Sequence, residues 1–575
     1  MSDFSSDYKD LLSTFNLVNS PNAVHKNDYR VSDSKPSDAS TVTNDSNLVV
    51  GDGIIFTDIN ILSKKFSTTK EDIKSVIDYF ISSAAARGFD WVLLDASAPE
   101  WNKYVSSDKS PIAYHKVLDA FTAELSWNTT ADTCLLIIGG MDVIPVKQSI
   151  DPYRKQDYLT DEDIFYCYPL NFNIKDEVPR FISESTTPEQ VSLFLINKAI
   201  FNVSRLPIDA QKINIDFDTL IGNYFDRVDE SNGFIPVNNI TFATAKQWKY
   251  EAGAIAEDLP LINIADKTGT VENGIFYSPI VDLDNNDTLS EFKEALSNSE
   301  LLLFNLHGAS DYNISSYFGD NGNPFKHTMP RAFDIESLAY SKGHIINTMA
   351  CFGAKYYNVG HTILLSSLYS KVLLFAGSSN ISWGRRSADA YCGCAETLLK
   401  LYTHILLNGI PAGKAFLMAK CDYLAFYMTV DTFDKALFTI REFNLFGDPS
   451  LSCQCDYESK SKSHHNYTFP FIDKFKGAIH NAYGITALSV LDEAYETVRD
   501  AVDNNLREIS IRLEHYLFND LGYNDVKLSK IEKINTNNYE KGYRFTYSFE
   551  QPFYRGCVEV ITDTEGKNES VFYTK

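Results

Sequence analysis

A histidine and a cysteine stand at the ends of two apolar segments of the sequence. The segment LLLFNLHG, residues 301–308, ends with His307 and Gly308, and the segment HIINTMAC, residues 344–351, ends with Cys351. An imidazole beside a thiol removes its proton or pairs with the thiolate, which makes the sulfur a far more competent nucleophile. These residue types therefore indicate acyl-transfer chemistry, provided that the two segments lie side by side.

Gly308 adds a second element to this chemistry. Its lack of a side chain lets the backbone approach a substrate closely, and its N–H, with that of Cys351, would stabilise the oxyanion of an acyl-transfer intermediate. Taken singly, these residues have simpler explanations. A His-Gly pair after a strand is usually a turn, and a buried cysteine is usually a small apolar side chain. The combination, with each residue following an apolar strand, favours catalysis.

The elements that must position these residues are alternating strands and helices. The segments VVGDGIIFTDI, FDWVLLDA and DTCLLIIGG predict strands, and TTKEDIKSVIDYFISSAAARG and SPIAYHKVLDAFTAEL predict helices between them. The first of these helices begins at a Thr69/Asp72 capping pair and has Gly88 as its C-cap. Such alternation predicts a doubly wound α/β layer, in which ligands bind beyond the carboxyl ends of the strands.

A second α/β half follows the first. NNITFATA (238–245), SELLLFNLHG, HIINTMAC and KVLLFAGSS (371–379) predict strands, two long helical stretches follow, and the pattern closes at FNLFGDPSLS (443–452). We therefore predict two α/β subdomains, residues 49–235 and residues 236–460. His307 and Cys351 would lie at the carboxyl ends of neighbouring strands in the second of them.

Residues 1–48 and 461–575 differ from this α/β region. The stretch 31–48 consists almost entirely of Ser, Asp, Thr, Asn, Pro and Lys. It cannot bury enough apolar area to offset its ordering entropy, so residues 1–48 are predicted to be a disordered leader or pro-segment. The tail has two predicted helices at about 486–521, followed by alternating segments such as KGYRFTYSF and GCVEVITDT. That pattern predicts a small α+β domain with an antiparallel meander.

The charge and the apolar content argue against several classes of partner. The chain has 575 residues and a formal net charge of -24, a sign that repels phosphate backbones and anionic lipid. No stretch approaches the roughly 18 consecutive apolar residues of a membrane span. The opening MSDFSSDYKDLLSTF lacks the basic and apolar regions of a signal peptide. We therefore expect no nucleic-acid partner, no membrane partner and a cytoplasmic location.

The cysteines indicate reduced thiols and no metal. Nine of them are scattered along the chain, unlike the dense, even pattern of a secreted disulfide scaffold. Cys392/Cys394 and Cys453/Cys455 form C-x-C pairs, but neither pair has the second ligand pair that zinc sites use. We expect neither a structural metal nor a cofactor.

The order of these segments resembles a known peptidase architecture. An apolar strand with His-Gly, a spacer, and an apolar strand with Ala-Cys form the pattern of the caspase-like (clan CD) cysteine peptidases. Within that group the chain resembles the gingipain family. Two segments match the family forms Ala-x-x-x-Asn-x-Ser-Trp and Phe-Gly-Asp-Pro-Ser-Leu: Ala376, Asn380, Ser382 and Trp383 in the first, and Phe446 to Leu451 in the second. LLIIGGMDVIP and NVSRLPID are similar to two further family segments.

The resemblance implies a role for each candidate residue. His307 would be the general base and acid, Cys351 the nucleophile, and Gly308 with Cys351 the oxyanion donors. Ser382 and Trp383 would contact the substrate, with Trp383 walling the pocket for the residue before the scissile bond. A core tryptophan is an equally good interpretation of Trp383, because aromatic side chains more often pack than bind. The implied partner is a protein or peptide substrate.

The resemblance covers roughly residues 90–455, and the sequence departs from the family at several points. Arginine-specific members hold the cationic substrate side chain with an acid that has no clear counterpart in KQWKYEAGAIAED, residues 246–258. Neither Arg nor Lys specificity is therefore transferred. Ser204 stands where the family usually has glycine, the tail has helices where secreted members have an immunoglobulin-like β domain, and no signal peptide is visible.

Three hypotheses compete at this point. The leading one is a cysteine endopeptidase that works through an acyl-enzyme, with the leader or the tail gating the site and a regulatory partner binding through residues 461–575. The alternative is a catalytically inactive caspase-like scaffold that acts as an interaction or regulatory protein. The third is a flavodoxin-like nucleotide-binding module, and the absence of phosphate-binding glycine motifs argues against it.

Overall fold

The computed structural model of the protein describes most of the region from residue 51 to residue 574. The described residues are 51–150, 159–183, 186–208, 215–257, 259, 271–272, 275–278, 289–308, 315–320, 329–356, 362–387, 394–427, 433–454, 494–497, 504–519, 523, 526–535, 540–551 and 554–574. The predicted leader at 1–48 and one cysteine of each C-x-C pair, Cys392 and Cys455, lie outside these residues.

The strands of the described region are numbered in chain order. They are β1 (Gly53–Thr57), β2 (Trp91–Asp95), β3 (Cys134–Ile138), β4 (Lys147–Ile150), β5 (Leu159–Glu162), β6 (Asn202–Leu206), β7 (Phe234–Pro236), β8 (Ile240–Ala245), β9 (Val271–Glu272), β10 (Ile275–Ser278), β11 (Leu301–Asn305), β12 (His307–Gly308), β13 (Ser316–Phe318), β14 (Arg331–Asp334), β15 (Ile345–Thr348), β16 (Leu374–Ser378), β17 (Trp383–Ser387), β18 (Phe443–Gly447), β19 (Ser452–Gln454), β20 (Ala494–Thr497), β21 (Lys527–Asn535), β22 (Glu540–Gln551), β23 (Tyr554–Asp563) and β24 (Asn568–Thr574).

The α-helices of the same region are numbered likewise. They are α1 (Ile59–Phe66), α2 (Lys70–Ala86), α3 (Asn102–Val105), α4 (Pro111–Glu124), α5 (Ile174–Phe181), α6 (Pro188–Lys198), α7 (Asn223–Glu230), α8 (Lys249–Glu257), α9 (Leu289–Asn298), α10 (Ile363–Leu368), α11 (Cys394–Leu407), α12 (Ala412–Tyr427), α13 (Phe433–Glu442) and α14 (Asn504–Asn519).

The predicted alternation of strands and helices is confirmed, and local sequence signals set the helix ends. The side chain of Thr69 accepts a hydrogen bond from the backbone N–H of Asp72, and the Asp72 carboxylate accepts from the N–H of Thr69. This reciprocal pair is the capping box that the sequence predicts for α2. The helix ends at Ala86, and Gly88 follows with φ +83°, a conformation that favours glycine.

One sheet of eleven strands contains the strands of both predicted α/β halves. Its order is β2-β1-β3-β6-β18-β16-β15-β11-β8-β10-β9. The first five strands are parallel to one another, and so are β16, β15, β11, β8 and β10. The two parallel blocks meet at β16 and β18, which pair antiparallel. The carboxyl edges of the two blocks therefore lie at opposite ends of the sheet.

The junction between the blocks revises the picture of two separate sheets. Strand β18 comes at the end of the second predicted half, yet it pairs with β6 of the first half as well as with β16. Strands β7 and β19, from the first and second predicted halves, also pair with each other. The fold is a mixed α/β sheet shared by both halves, and the predicted boundaries at 235/236 and 460/461 stay predictions.

Buried polar groups of β6 bond this strand to neighbouring segments on both sides. The guanidinium of Arg205 is fully buried and donates to the Asp163 carboxylate and to the carbonyl oxygens of Gly139 and Ile144. Ser204 donates from Oγ to the carbonyl oxygen of Gly447 at 2.5 Å. Ser204 therefore bonds β6 directly to the end of β18.

The largest apolar cluster of the described residues packs around the eleven-stranded sheet. Every residue of β1, β3, β11 and β18 is buried, which is the pattern of strands covered on both faces by helices. Of the helices in the described part of the chain, none is long and apolar enough to cross a membrane.

The tail forms an antiparallel sheet that includes one strand from the α/β region. Its six strands run in the order β17-β24-β23-β22-β21-β20, and α14 is the helix described there. The predicted antiparallel meander is confirmed, since β21, β22, β23 and β24 pair in chain order. The prediction of two helices at about 486–521 is wrong in part, because residues 494–497 form strand β20 and pair with β21.

Candidate active site

The structure places His307 and Cys351 beyond the carboxyl ends of adjacent strands. Strands β11 and β15 pair in parallel with Leu301 opposite Ile345 and Phe304 opposite Thr348, so the predicted adjacency is confirmed. The strands are shorter than predicted, because β11 ends at Asn305 and β15 at Thr348. His307 and Gly308 instead begin a separate three-stranded sheet, β12-β13-β14.

The backbones of Gly308 and Cys351 are in direct contact. A Cβ atom at position 308 would lie 1.7 Å from the carbonyl oxygen of Cys351 and 2.7 Å from its carbonyl carbon. A heavy atom cannot occupy that space, so glycine is required at this position for a steric reason. This close approach joins the end of β11 to the end of β15 and places the histidine and cysteine residues within one site.

Polar and aromatic side chains surround the imidazole of His307, which is fully buried. Gln247 places its side-chain nitrogen 2.8 Å from Nε2 of His307. In this orientation the amide donates to Nε2, which puts the proton of the neutral ring on Nδ1. A flipped amide would accept a hydrogen bond from a protonated Nε2, so glutamine is compatible with both states of a general base. The indole of Trp248 lies 4.3 Å from the imidazole, centroid to centroid.

A buried carboxylate lies on the same side of the ring. Oδ2 of Asp320 is 3.9 Å from Nε2 of His307, and the Asp320 side chain is fully buried. The Asp320 carbonyl accepts from the backbone N–H of Lys246, which ties it to the segment carrying Gln247 and Trp248. The Asp320 carboxyl group therefore faces the same ring nitrogen that Gln247 contacts.

The segment after Cys351 is a tight turn with an unusual backbone conformation. Phe352 has φ +53°, a left-handed conformation that is costly for an aromatic residue. Its N–H donates to the carbonyl of Asn380 at 2.6 Å, and the Tyr317 hydroxyl donates to the carbonyl of Gly353 at 2.9 Å. The structure therefore holds Cys351 rigidly between the end of β16 and the β12-β13-β14 sheet.

The thiol of Cys351 faces the predicted substrate-binding segment. Its Sγ lies 3.7 Å from the carbonyl oxygen of Ser382, to which it donates. Cys351 is 3% exposed and packs with Phe352 and Ile381. Ser382 thus contacts the candidate nucleophile through its backbone, and its side chain is buried.

Trp383 is buried against the tail in this structure. The residue is 1% exposed and clusters with Cys394, Phe438 and Phe572. The ammonium of Lys435 lies 4.2 Å from the centroid of its indole ring. In this state of the molecule Trp383 packs as a core side chain, and its predicted part in a substrate pocket stays a prediction.

Sequence reasoning missed three residues of the site: Gln247, Trp248 and Asp320. The first two follow β8, which pairs with β11 in the sheet, so the rule that pointed to His307 and Cys351 also points to them. Asp320 follows β13, whose place beside β12 has no local signal in the sequence. Among the described residues, no group of three or more His, Cys, Asp and Glu side chains is arranged to hold a metal ion.

Comparison with known proteins gives little further information. No protein-family model matches the chain, and no curated protein matches it. One similar solved structure is described as "Structure of Protease", with a TM-score of 0.42 and 10% sequence identity over 91% of this chain and 97% of that chain. A likeness this distant carries no argument about the site, and gingipain-family membership stays a prediction.

Proposed function

We propose that the chain is a cysteine endopeptidase of the gingipain-like, caspase-like type, which hydrolyses peptide bonds in a protein or peptide substrate. The observation that carries the proposal is the contact between Gly308 and the backbone of Cys351 beyond two adjacent parallel strands. That contact supports one site that contains an imidazole, a thiol and the two backbone N–H groups assigned to the oxyanion.

The reaction assigns one role to each group. Cys351 transfers its thiol proton to His307 and attacks the carbonyl carbon of the scissile bond, and the N–H groups of Gly308 and Cys351 stabilise the oxyanion. His307 then gives its proton to the leaving amine as the C–N bond breaks, which leaves a thioester on Cys351. Water, deprotonated by His307, hydrolyses the thioester and releases the acid product.

The second candidate function, an inactive scaffold, predicts that the reactivity of the Cys351 thiol does not depend on His307. We expect iodoacetamide and a library of peptidyl acyloxymethyl ketones to label Cys351 about 10²-fold more slowly in His307→Ala than in the wild-type protein. Mass spectrometry of the labelled peptide gives the rate. The matched control is His344→Ala, because His344 precedes β15 at the opposite end of the same strand. Labelling of Cys351 that is indifferent to His307 would support the scaffold and contradict the peptidase.

Asp320 is expected to act as a positioning residue for His307. Asp320→Asn removes the negative charge 3.9 Å from Nε2, and we expect kcat to fall by about tenfold or more while KM changes less than about twofold. Steady-state kinetics on a peptide substrate measures both constants.

The matched control for Asp320 is Asp334→Asn in the same three-stranded sheet. Asp334 accepts hydrogen bonds from Ser337 and belongs to β14, so kcat should stay close to wild type. Equal losses in the two variants would assign the effect of Asp320 to folding of this sheet.

A further inference from the structure

The tail of the chain forms a strand beside the candidate active site. Strand β17 begins at Trp383, directly after Ser382, whose carbonyl accepts from Cys351. Strand β24 pairs with β17 in antiparallel register, with Trp383 opposite Thr574 and Ser387 opposite Ser570. The carboxyl end of β24 is therefore the end nearer to Cys351.

Both sides of β17 are already paired near the site. One side pairs with β24 from Trp383 to Ser387. On the other side Gly384 forms a bridge with Cys394. An extended peptide gains main-chain hydrogen bonds by adding a strand to a free sheet edge. A peptide that docks on β17 at Gly384 would therefore displace either Cys394, which forms one bridge, or β24, which pairs with five residues of β17.

A side chain of β24 also packs against the aromatic residue that contacts His307. Tyr573 is 2% exposed and stacks on Trp248, with ring centroids 5.8 Å apart and planes 11° apart. Trp248 in turn packs on His307. The Tyr573 hydroxyl donates to the carboxylate of Glu396 at 2.9 Å. Tyr573 therefore links the tail to the histidine through a single intervening ring.

A buried ion pair ties β23, the neighbour of β24, to helix α13. Lys435 of α13 pairs with Glu559 of β23, and both side chains are buried. The Lys435 ammonium lies 4.8 Å from the ring centroid of Phe572 as well as over Trp383. The tail is thus packed against the substrate-binding segment by charge and by apolar contact.

We propose that β24 is an intramolecular occupant of the peptide-binding edge of β17, and that the site accepts a substrate only when β24 leaves that edge. This inference rests on the proposed function. It specifies how the tail would gate the site, and the predicted binding of a regulatory partner through residues 461–575 stays a prediction. The apparent affinity for a peptide is then the intrinsic affinity multiplied by the fraction of molecules in which β24 is released.

The test compares two buried aromatic residues of the tail in the full-length protein. Tyr573→Ala removes the stack on Trp248 and the bond to Glu396, and we expect kcat/KM for an extended peptide to rise at least about tenfold. The matched control is Phe549→Ala. Phe549 is also 2% exposed and belongs to β22, but it packs on Tyr523. Its kcat/KM should stay at the wild-type value.

Two other outcomes of this comparison would overturn the inference. A fall of kcat/KM in Tyr573→Ala alone makes β24 a structural part of the working site. An equal rise in both variants assigns closure to the whole tail rather than to β24. Where Tyr573→Ala does not fold, Tyr573→Phe removes only the hydroxyl bond to Glu396 and should raise kcat/KM by a smaller factor.

A binding measurement tests the same inference without catalysis. The peptide NESVFYT, which is β24 itself, is labelled with a fluorophore and titrated into the Cys351→Ala/Tyr573→Ala protein. Saturable binding that a scrambled peptide does not show supports the proposal that β24 occupies the edge of β17. Equal binding of both peptides overturns that proposal. If no variant hydrolyses any peptide while NESVFYT binds specifically, the proposed function fails, and only the occupation of a peptide-binding edge by β24 is supported. If the wild-type protein and Tyr573→Ala are equally active, the inference alone fails.

Discussion

Cys351→Ala is expected to reduce peptide hydrolysis by about 10⁴-fold, because no acyl-enzyme forms without the nucleophile. Cys351→Ser should lose nearly as much activity as Cys351→Ala, since an alcohol beside the same imidazole is a much poorer nucleophile than a thiol. The measurement is kcat/KM on a peptide library, with the Tyr573→Ala protein as a second background in which the edge of β17 is open. The same cleavage profile defines the preferred residue before the scissile bond.

A second buried cysteine provides the control for this loss. Burial raises the pKa of the Cys167 thiol to about 12, so this thiol is protonated at neutral pH and inert as a nucleophile. Cys167→Ala should therefore retain the wild-type kcat/KM. Activity that survives in Cys351→Ala and disappears in another cysteine variant would place the nucleophile elsewhere in the chain.

Gly308→Ala is expected to cost at least about 10²-fold in kcat/KM, the loss that a displacement of roughly 1 Å produces at a catalytic centre. The new methyl group would lie 1.7 Å from the Cys351 carbonyl oxygen. The backbones of β12 and of the Cys351 turn would then have to separate, which moves the oxyanion donors and the histidine together. We also expect a lower melting temperature, because the contact is buried and involves backbone on both sides.

Gly253 is the matched glycine for this experiment. It lies in α8, and a Cβ at that position meets nothing within 4 Å. Gly253→Ala should keep full activity and raise the stability by up to about 1 kcal/mol, because alanine is the better helix former. A Gly308→Ala enzyme with wild-type kinetics would show that the contact with Cys351 has no part in catalysis.

The part of the site that could be predicted follows from local pattern and sheet geometry. The buried segments LLLFN and IINT form β11 and β15, and the rule that parallel strands end at one edge then brings His307 and Cys351 together. The caps of α2 could be predicted because Thr69 and Asp72 act within one turn. These signals are short in range, so the sequence displays them directly.

The features of the site that could not be predicted depend on contacts between segments that are distant in the sequence. Asp320 reaches His307 only because β13 folds back on β12. The positive φ of Phe352 is imposed by a bond to Asn380 across the turn. The burial of Trp383 by Phe572 depends on a strand almost two hundred residues later in the chain, as the register of β17 and β24 shows. No local residue pattern encodes such pairings.

The antiparallel junction of β16 and β18 also constrains how the chain folds. The bond from Ser204 to Gly447 spans 243 residues, so the first parallel block lacks its fifth strand until the segment around β18 exists. Contacts of such high sequence separation slow folding because the loop-closure entropy is lost before they form. Until then one edge of β6 is unpaired, and an unpaired strand edge is a template for aggregation. During synthesis, one edge of β6 therefore stays unpaired until β18, a strand of the half that contains Cys351, has been made.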